Sequence, residues 1–325
     1  TPKGVMHSHR TPAQMMADEK KTQWIGMYDL PSPKFFSFLP LNHVGERIAV
    51  EVPALVLGAP ISFAEKLTEG VKRSDLIELN SKETPFEEVP LKNIISKLKT
   101  GLDYELGGQK NAPKFPMPSH LSFALRYATQ FKDSELMNYL TTTLNKMANG
   151  GIYDQVGGGF SRYSVDEKWH VPHFEKMLYD NAQLVSVYAQ AYKLTKNERY
   201  KIIVSETLSF INEQMISPEG AFYSSLDADS QNTDNELEEG VYYTWTKEEL
   251  KQHLNEDYEL FKDYYNVNEN GFWEKEQYIL YKTKSDEEFT KIHAVTLQSL
   301  QTKVKYWKNS LSAKRNTRKA PRLDD

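Results

Sequence analysis

The chain has 325 residues, enough for one large domain or two ordinary ones. Apolar residues make up 39% and charged residues 26%, so a real core can form, and a net charge of −5 argues against a nucleic-acid partner, which asks for a basic face. There are no cysteines, which excludes disulfides, thiolate metal sites and a Cys-x-x-C redox centre. No apolar run approaches the ~18 residues of a membrane-spanning helix, and Thr1-Pro2-Lys3-Gly4 lacks the apolar segment of a signal peptide. A cytoplasmic location is the default expectation. The chain opens in mid-motif without an initiator Met, as a fragment would.

Residues 1–66 read as α/β. A helix is predicted over 11–24, a strand over 34–39 that stops at Pro40, an apolar segment over 48–57 turned by Gly58-Ala59-Pro60, and a strand over 61–64. Such alternation points to a parallel sheet. The texture changes over 65–70, and helical patterns follow. Residues 91–102 carry Leu91, Ile94, Ile95, Leu98 and Leu102 at helical spacing; 118–131 turn Leu121, Leu125 and Tyr127 inward. Leu136, Leu140, Leu144 and Met147 form a stripe ended by Gly150-Gly151. Residues 174–194 are the longest predicted helix, and 199–215 follow, ended by Pro218 and Gly220. Segments 221–225 and 241–244 are expected to pair as a hairpin around the acidic 227–239 loop. Helices are expected over 247–254 and 256–265, with one or two more over 289–314. The basic cluster at 314–322 reads as a solvated loop or helix end. The fold class is therefore mainly α: antiparallel helix pairs that stack into an incomplete α/α barrel, preceded by a short α/β fragment.

The N-terminal motifs are Thr1-Pro2-Lys3-Gly4-Val5-Met6-His7-Ser8-His9, Phe38-Leu39-Pro40-Leu41-Asn42-His43-Val44-Gly45-Glu46-Arg47 and Gly58-Ala59-Pro60-Ile61-Ser62-Phe63-Ala64-Glu65. They resemble AMP-forming acyl-CoA synthetases. The resemblance implies a truncated AMP-binding segment over 1–66, in which Lys3 and Gly4 are the remnant of a phosphate loop and Lys3 and His43 match positions near ATP and acyl substrate. The Gly-rich half of that loop, the ribose-binding motif and the catalytic C-terminal domain are missing, so ATP and CoA are expected only of a complete version. Otherwise neither cofactor nor metal is expected.

A second series covers the rest: Glu105-Leu106-Gly107-Gly108, Ala112-Pro113-Lys114-Phe115-Pro116, the run from Asn149-Gly150-Gly151 to Gly157-Gly158-Gly159-Phe160, Arg162-Tyr163-Ser164-Val165-Asp166, Trp169-His170-Val171-Pro172-His173-Phe174-Glu175-Lys176, and Leu226-Asp227-Ala228-Asp229-Ser230. It resembles the thioredoxin-domain-containing proteins of the spermatogenesis-associated family. The resemblance implies that 67–325 is part of a six-hairpin, glycosidase-like α/α barrel, related in fold to N-acylglucosamine and cellobiose 2-epimerases, which use His for proton transfer at a sugar carbon. The family's thioredoxin-like domain is absent and the later hairpins do not follow, so no redox activity is expected, and a chimeric, truncated chain is expected to be inactive as it stands.

The residues themselves offer acid–base chemistry. A His within reach of a carboxylate can act as general acid or base near neutral pH, which makes His170 and His173 candidates. The alternative is that both only hydrogen-bond the loop backbone. If 174–194 is helical, His173 and Lys176, and Lys176 and Asp180, share a helix face. Asp227 and Asp229, alternating on an extended segment, would present both carboxylates to one side, for glycoside cleavage, a shared proton or a cation. Glu238 and Glu239 read as a solvated acidic loop. Tyr153, Tyr163 and Trp169 are candidates for stacking on a sugar ring or for packing the mouth of the fold. Glu175, Tyr179 and Asp180 complete the expected ligand-binding set, and Arg162 is expected to pair with Asp166. The expected ligand is a carbohydrate-like small molecule; a non-enzymatic binding or scaffold module and an acyl-CoA ligase fragment are the alternatives.

Overall fold

The computed structural model describes residues 35–37, 61–63 and 88–324. The chain divides into two compact units, Thr1–Glu87 and Glu88–Asp325. In the first, β1 (Phe35–Ser37) pairs in parallel with β2 (Ile61–Phe63). Lys3, Gly4 and His43, the predicted helix over 11–24 and the 66/67 boundary lie outside the described residues.

The second unit is mainly α. Its helices are α1 (Glu88–Thr100), α2 (Pro118–Phe131), α3 (Ser134–Asn149), α4 (Leu178–Thr195) and α5 (Glu198–Gln214). They continue as α6 (Lys247–Leu254), α7 (Tyr258–Tyr264), α8 (Asp286–His293) and α9 (Leu297–Arg315). Tight connections fold successive helices back on each other. Lys132 closes α2 in the left-handed region, and the Asp133 carboxylate then accepts the Leu136 N–H to start α3. Lys196 and Asn197 repeat this device between α4 and α5, as a left-handed stop followed by a side-chain cap. α6 and α8 each open with a capping box, Thr246 with Glu249 and Ser285 with Glu288. The hairpins α2/α3, α4/α5 and α8/α9 are packed pairs, and α2 also packs on α4 and α6 on α7 and α9.

Two cores lie between the hairpins. The first gathers the Leu136, Leu140, Leu144 and Met147 stripe with Leu121, Leu125, Tyr153, Phe160, Trp169 and Tyr188. The second gathers Trp245, Phe261, Tyr264, Phe289, Leu300, Trp307 and Leu311.

Short strands join the helices at one end. β3 (Tyr163–Ser164) runs antiparallel to β4 (Pro172–His173), with Tyr163 opposite His173. β5 (Lys176–Met177) pairs with β6 (Ser225–Leu226), and β6 with β9 (Leu323–Asp324). β7 (Asp229–Gln231) and β8 (Leu237–Glu239) form the hairpin. This differs from the expected pairing of 221–225 with 241–244, because the acidic loop folds on itself. The expected start of a helix at 174 is also corrected. Residues 176–177 are extended because they pair with 225–226, so the helical spacing of His173, Lys176 and Asp180 does not apply.

Candidate functional site

The loop from Asn149 to Met177 is fastened before it presents anything. The Asp166 carboxylate accepts the Lys168, His170 and Val171 N–H groups at 2.5, 3.3 and 2.5 Å. It is therefore a loop anchor, and the expected Arg162–Asp166 pair does not form; Arg162 instead donates to Glu175 at 2.8 Å. Trp169 is wholly enclosed, and its indole N–H donates to the Leu106 carbonyl at 3.0 Å. A Cβ on Gly108, which sits at φ +72°, would lie 2.5 Å from that indole. Gly108→Ala is therefore expected to cost at least ~2 kcal/mol from left-handed strain and overpacking combined, read as a lower urea midpoint. An unchanged midpoint would mean that the Trp169 seat is loose.

From this anchored loop, β3 and β4 carry a half-buried face in which Tyr163 and His173 keep partial access to solvent. The Phe115 and Tyr163 rings lie 4.8 Å apart, and Tyr163 stacks on the His173 imidazole at 4.9 Å. His173 Nδ1 is 2.8 Å from Glu239 Oε1, which also accepts the Phe174 N–H at 3.2 Å. With Glu239 as the acceptor of this bond, Nδ1 carries the hydrogen and Nε2 is the atom left for exchange with a ligand. Nε2 is 3.8 Å from Glu175 Oε2, the oxygen that also takes the Arg162 guanidinium. Glu175 is buried, and the Arg162 guanidinium interacts electrostatically with Tyr179 and Asp180 in the first turn of α4. Burial pushes the Asp180 carboxyl up to about 6, aided by Glu175 and opposed by Arg162. Burial also raises the Tyr179 phenol, although Tyr179 exposes nearly half its surface.

Tyr163, His173, Glu175, Tyr179 and Asp180 thus lie around Arg162 and Glu239. Other expected residues lie elsewhere. His170 packs on Tyr281 with rings 4.5 Å apart, its Nε2 buried without a partner, and burial pushes its pKa down. Tyr153 is enclosed in the core and donates to Glu206 at 2.5 Å, so neither it nor Trp169 offers a face to a sugar. Asp227 and Asp229 do not share one extended strand: Asp227 falls between β6 and β7, which belong to different sheets, and its Oδ1 lies 3.5 Å from the Asp229 amide. Asp229 stands opposite Glu239 in the hairpin and so flanks the His173 cluster.

Three contributors were missed. Glu239, read as a solvated acid, is the partner of His173; Arg162 pairs with Glu175, not with its near neighbour; Phe115 extends the aromatic edge. Only tertiary pairing brings them here. Glu238 does behave as a surface acid, pairing with the exposed Lys275. Among the described residues, no group of three or more His, Cys, Asp or Glu side chains could hold a metal ion. No described helix is long and apolar enough to cross a membrane.

No protein-family model matches the chain. Among solved structures, it is similar to a sugar epimerase from a ruminal bacterium, at TM-score 0.38 and 16% identity over 41% of this chain and 37% of that one. It is also similar to cellobiose 2-epimerase from Bacillus thermoamylovorans, at TM-score 0.36 and 17% identity over 43% and 42%. An uncharacterized protein of Caenorhabditis elegans is 35% identical over 263 residues, which span 73% of this chain and 36% of the nematode protein. Human spermatogenesis-associated protein 20 is 39% identical over 199 residues, 59% of this chain and 25% of the human protein, and the mouse protein is 38% identical over the same length. The matches therefore span between a quarter and just over a third of these relatives. Over that stretch the chain is homologous to spermatogenesis-associated protein 20.

Proposed function

We propose that the edge formed by Phe115, Tyr163, His173 and Tyr179 binds a carbohydrate-like ligand, with Asp180 and His173 as its acid and base. The observation that carries this reading is Asp180. Burial beside Glu175 keeps its proton to about pH 6, in the same cluster that holds His173 on Glu239 at 2.8 Å. A carboxylic acid that holds its proton and an imidazole with a nitrogen free to accept one are the groups that proton transfer at one ligand requires. The flanking aromatic rings supply apolar faces for sugar C–H groups, and Arg162 and Glu175 supply directional polar contacts.

The test is calorimetric titration with neutral mono- and disaccharides between pH 4.5 and 7.5. A protonated Asp180 donates a hydrogen bond, so affinity is expected to fall as pH rises through about 6. Asp180→Asn is expected to flatten that profile while retaining binding, and His173→Asn to weaken it about tenfold. The absence of saturable binding of any such sugar at any pH sinks the reading. A profile that Asp180→Asn leaves unchanged removes Asp180 from the site.

The same shift has a consequence for stability. The folded protein binds the Asp180 proton more tightly than the unfolded chain does, so this group's contribution favours the fold at low pH. That contribution is lost as pH rises from the ordinary carboxylate range to about 6. Asp180→Asn is therefore expected to gain stability relative to the parent at pH 7.5 and to show no such gain at pH 4. Equal differences at both values would contradict the assigned shift.

A further inference from the structure

Residues 173–176 alternate. His173 and Glu175 join the cluster on Arg162, whereas Phe174 and Lys176 enter a pocket on the other side of the segment. That pocket is a small cleft, partly open to solvent. Its polar lining comes from separate parts of the fold: Asp154 and Gln155 from the glycine-rich loop, Lys176 from β5, Tyr243 ahead of α6, and Arg315 from the end of α9.

The charges here do not balance. Lys176 and Arg315, both at most 3% exposed, share one carboxylate. Lys176 Nζ lies 2.9 Å from Asp154 Oδ2, and Arg315 spans both Asp154 oxygens at 2.6 and 3.0 Å. Beyond Gln155 lies Arg199, which donates to the Ala148 carbonyl at 3.0 Å and to Gln155 Oε1 at 3.3 Å and has no carboxylate within 4.0 Å among the described residues. The neighbouring Lys308–Glu206 and Lys282–Asp286 pairs are each neutral. The interior around the pocket therefore carries about two positive charges more than it carries negative ones.

Hydrogen-bonding capacity is left over at the same place. Lys176 Nζ has two acceptors, Asp154 and the Gly158 carbonyl, for three N–H groups. Arg315 Nε and the Tyr243 hydroxyl are buried without any partner. The Tyr243 ring lies between the two cations, 4.7 Å from Lys176 Nζ and 5.4 Å from the Arg315 guanidinium. Buried donors and excess buried charge each cost free energy unless something fills them, and one group answers both. It must be an acceptor only, carry close to two negative charges, and offer oxygens in several directions. A phosphate group does all three. A carboxylate is planar and singly charged, and the pocket already holds one in Asp154.

We infer that the pocket lined by Lys176, Tyr243 and Arg315 binds the phosphate group of a small molecule, as a site separate from the His173 edge. Neither reading depends on the other.

The experiment is calorimetry and thermal unfolding of the chain with inorganic phosphate, glucose 6-phosphate and acetate at fixed ionic strength and pH 7. Phosphate is expected to bind saturably and to raise the unfolding temperature as its concentration passes the dissociation constant. Tyr243→Phe removes only a hydroxyl that has no partner, so the ligand-free variant is expected to unfold at the same temperature as the parent or higher. Its phosphate affinity is expected to fall about 10- to 100-fold, the equivalent of one hydrogen bond to a charged group. Tighter binding of glucose 6-phosphate than of inorganic phosphate identifies a phosphate ester as the occupant; equal binding identifies the free ion. No saturable binding of either phosphate, unchanged affinity in Tyr243→Phe, or acetate binding as well as phosphate would each overturn the proposal.

Discussion

Asp154→Asn is expected to cost about 3–5 kcal/mol of folding stability, the usual consequence of leaving buried charge without its partner. Asp154 is the single carboxylate between Lys176 and Arg315, so its loss leaves two nearly inaccessible cations facing each other. Burial alone would raise the Asp154 carboxyl; Arg315, then Lys176, outweigh it and hold the group well below the ordinary carboxylate range. Its contribution is therefore fully present above about pH 4 and is lost as pH falls toward the depressed value. Urea unfolding at pH 7 reads the loss, and the acid limb of the stability profile should flatten in the variant. Lys176→Met should cost far less, because the bidentate Arg315–Asp154 pair survives. Equal losses from both variants would show that packing around the triad, not charge, sets its value.

Trp307→Ala is the second large effect, again about 3–5 kcal/mol, as for truncation of a buried aromatic. Trp307 has no exposed surface. Its ring meets Phe261 edge-on at 5.4 Å and Tyr264 at 5.8 Å, and its N–H donates to Asp257 at 2.9 Å. The side chain thus ties α9 to α7 and to the turn before it. Trp307→Phe should recover about half of the loss, since it refills most of the void but not the hydrogen bond. Chemical denaturation of the three proteins under one condition checks the order. A tolerated alanine would mean that α9 is held elsewhere.

What could be read from the chain follows the reach of each interaction. The span of α2, the inward set Leu121, Leu125 and Tyr127, and the Leu136 to Met147 stripe of α3 rest on periodicity and on Pro118 and Gly150, all within a few residues, and the structure has them. α6 spans the expected 247–254, and the structure adds the Thr246 to Glu249 capping box that opens it. The errors come from contacts between distant residues. Residues 174–177 look helical in isolation, yet pairing of Lys176 and Met177 with Leu226 and Ser225 makes them extended. The basic stretch at 314–322 looked solvated, yet Arg315 is buried on Asp154, and Arg318 lies over Trp245 and pairs with Glu249. In the candidate site, His173, Glu175 and Asp180 stood out because they are close in sequence. Glu239 did not, because 66 residues separate it from the His173 it bonds.

We propose the Phe115–Tyr163–His173–Tyr179 edge as the place where this fold meets a sugar-like ligand. It is tested most directly by two-dimensional NMR of the folded chain titrated with neutral mono- and disaccharides, observing the His173 imidazole, the Tyr163 and Tyr179 rings and the Asp180 carboxyl. Saturable shifts are expected to converge on these four side chains, with His170, packed on Tyr281, and the enclosed Trp169 unmoved. Saturable shifts centred elsewhere, or none at this edge with any sugar, would contradict it.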